Sequence, residues 1–113
     1  MAVTPKALVE GMMIPADTGG TTLYTCPTNA TIIDKCTVTN LDPNPQTFTL
    51  AIVPQGGSPG DSNRIIRLKT LQYRECYTCP EIVGQILNTG DFLSAYSTLA
   101  TALSIRVSGR EVT

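Results

Sequence analysis

A period of two in residues 36–57, CTVTNLDPNPQTFTLAIVPQGG, constrains the fold more than any other feature of the chain. Phe48, Leu50 and Ile52 fall on one side of a pleat and Thr47, Thr49 and Ala51 on the other, as a half-buried strand requires. Upstream, Cys36 and Val38 share a face opposite Thr37 and Thr39. Asp42-Pro43-Asn44-Pro45 can continue neither strand, because proline fixes φ and removes a ladder donor. The expectation is two strands joined by a proline turn into one antiparallel unit.

The rest of the chain repeats this grammar. Strands are expected at 21–26, stopped by Pro27, and at 31–40, before the strand at 46–53. Residues 54–63, PQGGSPGDSN, are almost wholly turn formers and read as a mobile rim loop. They lack the lysine and following hydroxyl residue of a phosphate-binding loop. Residues 64–71 could line a helix through Ile65, Ile66 and Leu68, but two β-branched residues and a glycine-rich entry favour a strand. Residues 72–79 continue that strand or pair with it after a bend. A further apolar run at 82–87 leads to the turn Asn88-Thr89-Gly90-Asp91, then to strands at 92–97 and 102–108. In the last, Leu103, Ile105 and Val107 point inward and Ser104, Arg106 and Ser108 outward. About eight short strands with regular turn signals predict an all-β fold, a single antiparallel β-sandwich or jelly-roll-like domain over residues 21–113. Tyr24-Thr25-Cys26-Pro27 returns as Tyr77-Thr78-Cys79-Pro80, which reads as strands ending at proline in two sheets.

Residues 1–20 have no clean period and carry Pro5, Gly11, Pro15, Gly19 and Gly20, so they are expected to form an extended or irregular N-terminal arm. Met12, Met13 and Ile14 on it would either close one end of the core or pack on a neighbouring subunit.

At 113 residues the chain is one domain by size and buries roughly two-thirds of its unfolded surface. Seventeen threonines and only 15% charged residues suit sheets with wet outer faces. A net charge of -1 gives no electrostatic reason to expect nucleic acid or an anionic membrane as partner. No run approaches the roughly 20 apolar residues of a membrane span, and no basic stretch followed by an apolar core opens the sequence, so a soluble, cytoplasmic product is expected.

Zinc would need four ligands, and only Cys76 and Cys79 have suitable spacing. An offset of three within a strand puts those two on opposite faces, and histidine is absent from the sequence. If Cys26 faced Thr31 across a hairpin, Cys26 and Cys36 would lie roughly 17 Å apart along the ladder, beyond bridging distance. Cross-sheet pairs stay open, and free, buried thiols are the expectation. Without histidine, a nucleophile would need a lysine or carboxylate base, and Lys35 and Lys69 sit in no recognisable motif. Glu75 with Glu81, or Asp42 with Asp61, read as turn formers rather than as an acid–base or calcium pair. Arg64, Arg67, Lys69 and Arg74 either meet an acidic partner or blunt a sheet edge. No catalytic, cofactor-binding or metal-binding residue is expected.

The pieces TTLYTCP, TIIDKCTVTN, TFTLAIVPQGGSPGDSN, VGQILNTGDFLSAYS and ALSIRVSGREVT resemble a class of small β-sandwich virion proteins of tailed bacteriophages. The resemblance covers residues 22–109, about four-fifths of the chain, and rests on strands and turns rather than on functional residues. It implies a non-enzymatic structural protein, assembled in the host cytoplasm and resident in the virion. Its partners would be the major capsid protein or other virion proteins, and it would form a homo-oligomer on a symmetry axis. Capsid cement, or decoration, is the favoured post; a head–tail connector, or a tail or fibre accessory, is the alternative. A carbohydrate-binding sandwich is the second alternative, disfavoured by the absence of tryptophan. The expected contacts are Met12, Met13 and Ile14, the turn Asp42, Pro43, Asn44 and Pro45, and the rim residues Gln55, Gly56, Asp61, Arg64 and Arg67. On this reading, a chain lacking residues 1–20 would remain a folded monomer and lose attachment.

Overall fold

The structure, a computed structural model, describes residues 2–17 and 19–113. Among these there is no helix. The strands are β1 (Val3–Met13), β2 (Thr21–Thr25), β3 (Ala30–Asn40), β4 (Gln46–Val53), β5 (Arg64–Leu71), β6 (Cys76–Tyr77), β7 (Ile86–Asn88), β8 (Phe92–Ser97) and β9 (Leu103–Val112). They form two antiparallel sheets. The first has the order β1-β9-β3-β6, with β7 also paired to β3; the second has the order β2-β8-β4-β5. The two close over one core as the β-sandwich expected from the alternating pattern.

Bulges keep each buried face consistent. On β3, Thr31 and Ile33 point inward, and so do Cys36, Val38 and Asn40, although their numbering has changed parity. The register shift between Ile33 and Lys35 absorbs the difference; without it every side chain beyond Lys35 would change faces. Arg110 on β9 donates from Nε and Nη2 to the two carboxylate oxygens of Asp34 at 3.0 and 2.9 Å, beside this bulge. Both side chains are partly exposed, so the pair fixes register more than it adds stability. On β9 the inward set Leu103, Ile105 and Val107 continues through Gly109 and Glu111.

Three expectations need correction. First, β3 and β4 are not one hairpin: β3 pairs with β9 and β4 with β8 and β5, so the Asp42–Pro45 turn carries the chain from one sheet to the other. The same holds for β2 and β3; Cys26 does meet Thr31, but across an inter-sheet connection. Second, residues 76–77 leave β5 and pair with β3 in the opposite sheet. Third, the N-terminal segment is extended but not irregular, and it belongs to the sandwich. β1 pairs with β9 from Val3↔Val112 to Met13↔Ser104, burying Leu8 and Val9, and Ile14 follows fully buried. Two register shifts, at Ala7/Val9 and Val9/Met12, conceal its alternation. The repeated YTCP motif does mark strand ends in the two sheets, after β2 and after β6.

Candidate functional site

The strand directions divide the expected contact residues between two ends of a body measuring 46 × 26 × 19 Å. Asp42, Pro43, Asn44 and Pro45 precede β4, and Gln55 and Gly56 follow it, so eight residues of extended chain, roughly 26 Å, separate them. Met12, Met13 and Ile14 lie beside the start of β9, at the same end as the Asp42–Pro45 turn. Of these three, Ile14 is fully buried, Met13 is half-buried and Met12 is exposed. Asp61, Arg64 and Arg67 sit at and beyond the glycine-rich loop, where both guanidinium groups converge on one Asp61 oxygen at 2.6 and 3.0 Å. The other two members of the basic set lie against aromatic rings: Lys69 Nζ 4.7 Å from the Tyr77 centroid, and Arg74 5.0 Å from that of Tyr73.

At the Asp42–Pro45 end, two buried polar side chains tie the loops together. The Asn40 amide donates to the carbonyls of Leu71 and Asn44 at 2.9 and 3.1 Å, and its Oδ1 accepts from the Asp42 N–H at 2.8 Å. Its main chain bonds Arg74 and Glu75. Asp42 Oδ2 in turn accepts from Asn44 N–H and Gln46 Nε2. Ser97 Oγ lies 2.9 Å from both the Ile14 and the Leu99 carbonyls. Leu41 N–H donates to the Ala102 carbonyl, adding the β8–β9 loop. Every loop of this rim is thus fixed by a satisfied interior group, the arrangement that makes a buried polar residue specify one conformation.

On this fixed rim stand Leu41, Tyr73 and Leu99, 55, 47 and 39% exposed, with Pro43 and Pro45 exposed beside Leu41. Among the described residues nothing covers these large apolar groups at the tip of the sandwich, and they are suited to another protein's surface. Pro43 and Pro45 are legible in the sequence, whereas Leu41, Tyr73 and Leu99 are not, since a single exposed apolar residue in a turn carries no periodic signal. Asn40 was legible: it shares the inward parity of Cys36 and Val38, and a polar residue at a core-facing strand position must find partners.

The opposite end holds a second polar group. Glu111, buried on the inner face of β9, accepts from the Tyr24 hydroxyl at 2.5 Å and faces Lys6 Nζ at 3.4 Å. Thr31 Oγ1 lies 2.8 Å from that hydroxyl and 3.1 Å from Cys26 Sγ. Burial first, and then the Glu111 carboxylate, raise the Tyr24 phenol well above its ordinary value. Tyr77, which donates to Glu81, is pushed up to about 12, chiefly by that hydrogen bond. Both phenols stay protonated in the fold beyond the pH at which they ionise in the unfolded chain. Their contribution is therefore complete below pH 10 and is lost as pH rises, to about 12 for Tyr77 and higher for Tyr24. Denaturant midpoints measured from pH 10 to 12 should fall steadily, and Tyr24→Phe should flatten part of the slope, Tyr77 supplying a similar share over this range; a flat wild-type profile would exclude the Tyr24–Glu111 bond.

The cysteines are free: Cys26, Cys36 and Cys79 are buried and Cys76 is exposed. Cys76 and Cys79 thus differ in exposure, but not by strand parity, since Cys79 lies beyond the end of β6. Among the described residues no cluster of three or more histidine, cysteine or acidic side chains is placed to hold a metal ion. Glu75 bonds the Gln72 N–H and Glu81 the Tyr77 hydroxyl, while Asp42 and Asp61 lie at opposite ends of β4. Comparison with protein-family models, with curated proteins and with solved structures finds no match to this chain.

Proposed function

We propose that the chain is a structural protein of a tailed-bacteriophage virion, seated as cement on the outer surface of the major capsid protein shell. The observation that carries this reading is the rim of Leu41, Tyr73 and Leu99, apolar, exposed and held rigid by Asn40 and Ser97. The resemblance of its strand and turn segments to small virion proteins adds the context. A rigid tip loses little side-chain and loop entropy on docking, so a small contact retains more of its binding free energy. Many copies placed across capsomer joints then oppose internal pressure through the sum of weak contacts, and self-association about a symmetry axis multiplies each one.

The test uses heads of the phage that encodes the chain, prepared without it. Purified full-length protein should co-sediment with them in hundreds of copies per particle, and Leu41→Asp with Leu99→Asp should lower retention at least tenfold while leaving the melting temperature within a few degrees. A count of three, six or twelve would move the protein to the neck, connector or fibre. No retention, or retention indifferent to the paired substitution, would overturn the reading.

A further inference from the structure

Cys36 and Cys79 occupy facing positions. The β3–β6 ladder pairs Val38 with Tyr77 and Thr39 with Cys76, and the same register carried two residues beyond the ladder would set Cys36 opposite Cys79. Facing residues on antiparallel strands point to the same side, and here both side chains enter the core and are fully buried. Facing Cα atoms on a continuous antiparallel ladder lie roughly 4.5 to 5.5 Å apart, inside the range a disulfide spans. The ladder itself ends at Tyr77; beyond it the Cys79 backbone turns left-handed at φ +48°, and its carbonyl accepts from Ile82 N–H. Both thiols nevertheless lie in the one core cluster, and Cys36, ahead of burial, raises the Cys79 thiol above its ordinary value.

We propose that Cys36 and Cys79 are an oxidisable dithiol pair that closes to a cross-strand disulfide. The oxidant is a small-molecule disulfide. One protein thiol loses its proton and attacks a sulfur of that reagent, forming a mixed disulfide and releasing one small thiolate. The second protein thiol, deprotonated in turn, displaces the other small thiolate. The two cysteines are oxidised to one S–S bond, the reagent is reduced to two thiols, and the protons leave with them. Both sulfurs are shielded in the closed fold, so exchange proceeds through local opening of β6, a two-residue strand at a sheet edge. Once made, the bond closes a loop of about 40 residues and secures the 76–85 segment to β3.

The experiment incubates the folded full-length chain, and a Cys76→Ser variant lacking the exposed thiol, with oxidised glutathione at pH 8. One set is in buffer and one in urea below the unfolding midpoint. Peptide mapping after alkylation should recover Cys36 joined to Cys79, with Cys26 alkylated, and closure should be faster in urea. The oxidised protein should melt roughly 10 °C higher and return to its starting value with a dithiol reductant. Recovery of all four thiols from the wild-type chain under both conditions, or a bond from Cys26 in place of Cys36, would each overturn the assignment. Cys36→Ala should abolish both the linkage and the thermal shift.

Discussion

A chain lacking residues 2–14 is expected not to fold. β1 covers nearly the whole outer edge of β9, and Leu8, Val9 and Ile14 enter the core from it. At about 1.5–3 kcal/mol for each fully buried aliphatic side chain, their loss removes a large share of a domain stability of roughly 5–15 kcal/mol. The loss extends beyond them. β9 would present an unpaired ladder to solvent, Glu111 would lose Lys6 from its partly buried site, and Ser97 would lose the Ile14 carbonyl. Far-UV circular dichroism and size exclusion of the truncated chain should report disorder or aggregation. A monomer with a cooperative melt would show that β1 is dispensable. Loss of the proposed capsid attachment on truncation would therefore report loss of the fold, so the deletion cannot isolate an arm's role. Met12→Asp, at an exposed position on the same strand, is the substitution that probes contact there without opening the core.

β1 also shows where sequence reading reaches its limit. The bounds of β4 and β8 follow directly from their alternating residues, and the inward set of β9 is just as plain. On β1 two bulges break the period, and Pro5 and Gly11 add the vocabulary of a loop. A strand with interrupted alternation looks irregular until its partner supplies the register. Partner choice is hidden for a related reason. Phe48 and Leu50 declare which face of β4 is buried, but a buried face fits a ladder neighbour's sheet and an opposing sheet equally well. The Asp42–Pro45 turn stops a strand in either case, and here the chain crosses the core after it. The rim suffers most. Leu41, Tyr73 and Leu99 lie far apart in sequence and become neighbours in consequence only because Asn40, Ser97 and the Leu41–Ala102 bond gather their loops. Periodicity describes strands one at a time, whereas an interface is made where strands end.

Gly109→Ala should be among the most damaging single substitutions in the chain. Gly109 lies in β9 between Lys6 of β1 and Ile33 of β3, in the middle of the first sheet. A Cβ built there would fall 2.3 Å from the Ile32 carbonyl oxygen and 2.9 Å from Leu8 Cδ1. The leucine methyl has some freedom to turn away. The carbonyl does not, because it belongs to the β3 backbone just before the Ile33–Lys35 bulge, and that bulge keeps Cys36, Val38 and Asn40 facing inward. A glycine inside a strand is commonly the mark of such a backbone approach. Relief by shifting β3 would disturb the ladder on both sides of β9, so the loss should be about 3 kcal/mol or more, with Gly109→Val not folding at all. Gly56→Ala is the control. That residue has φ +79° and open space around its Cβ direction, so its cost should be only the left-handed backbone penalty of roughly 1–2 kcal/mol. Equal midpoints for the two alanine variants in urea would mean that β3 does not press against β9 at the bulge. The inward placement of Asn40, and with it the rigid rim, would then lack its structural basis.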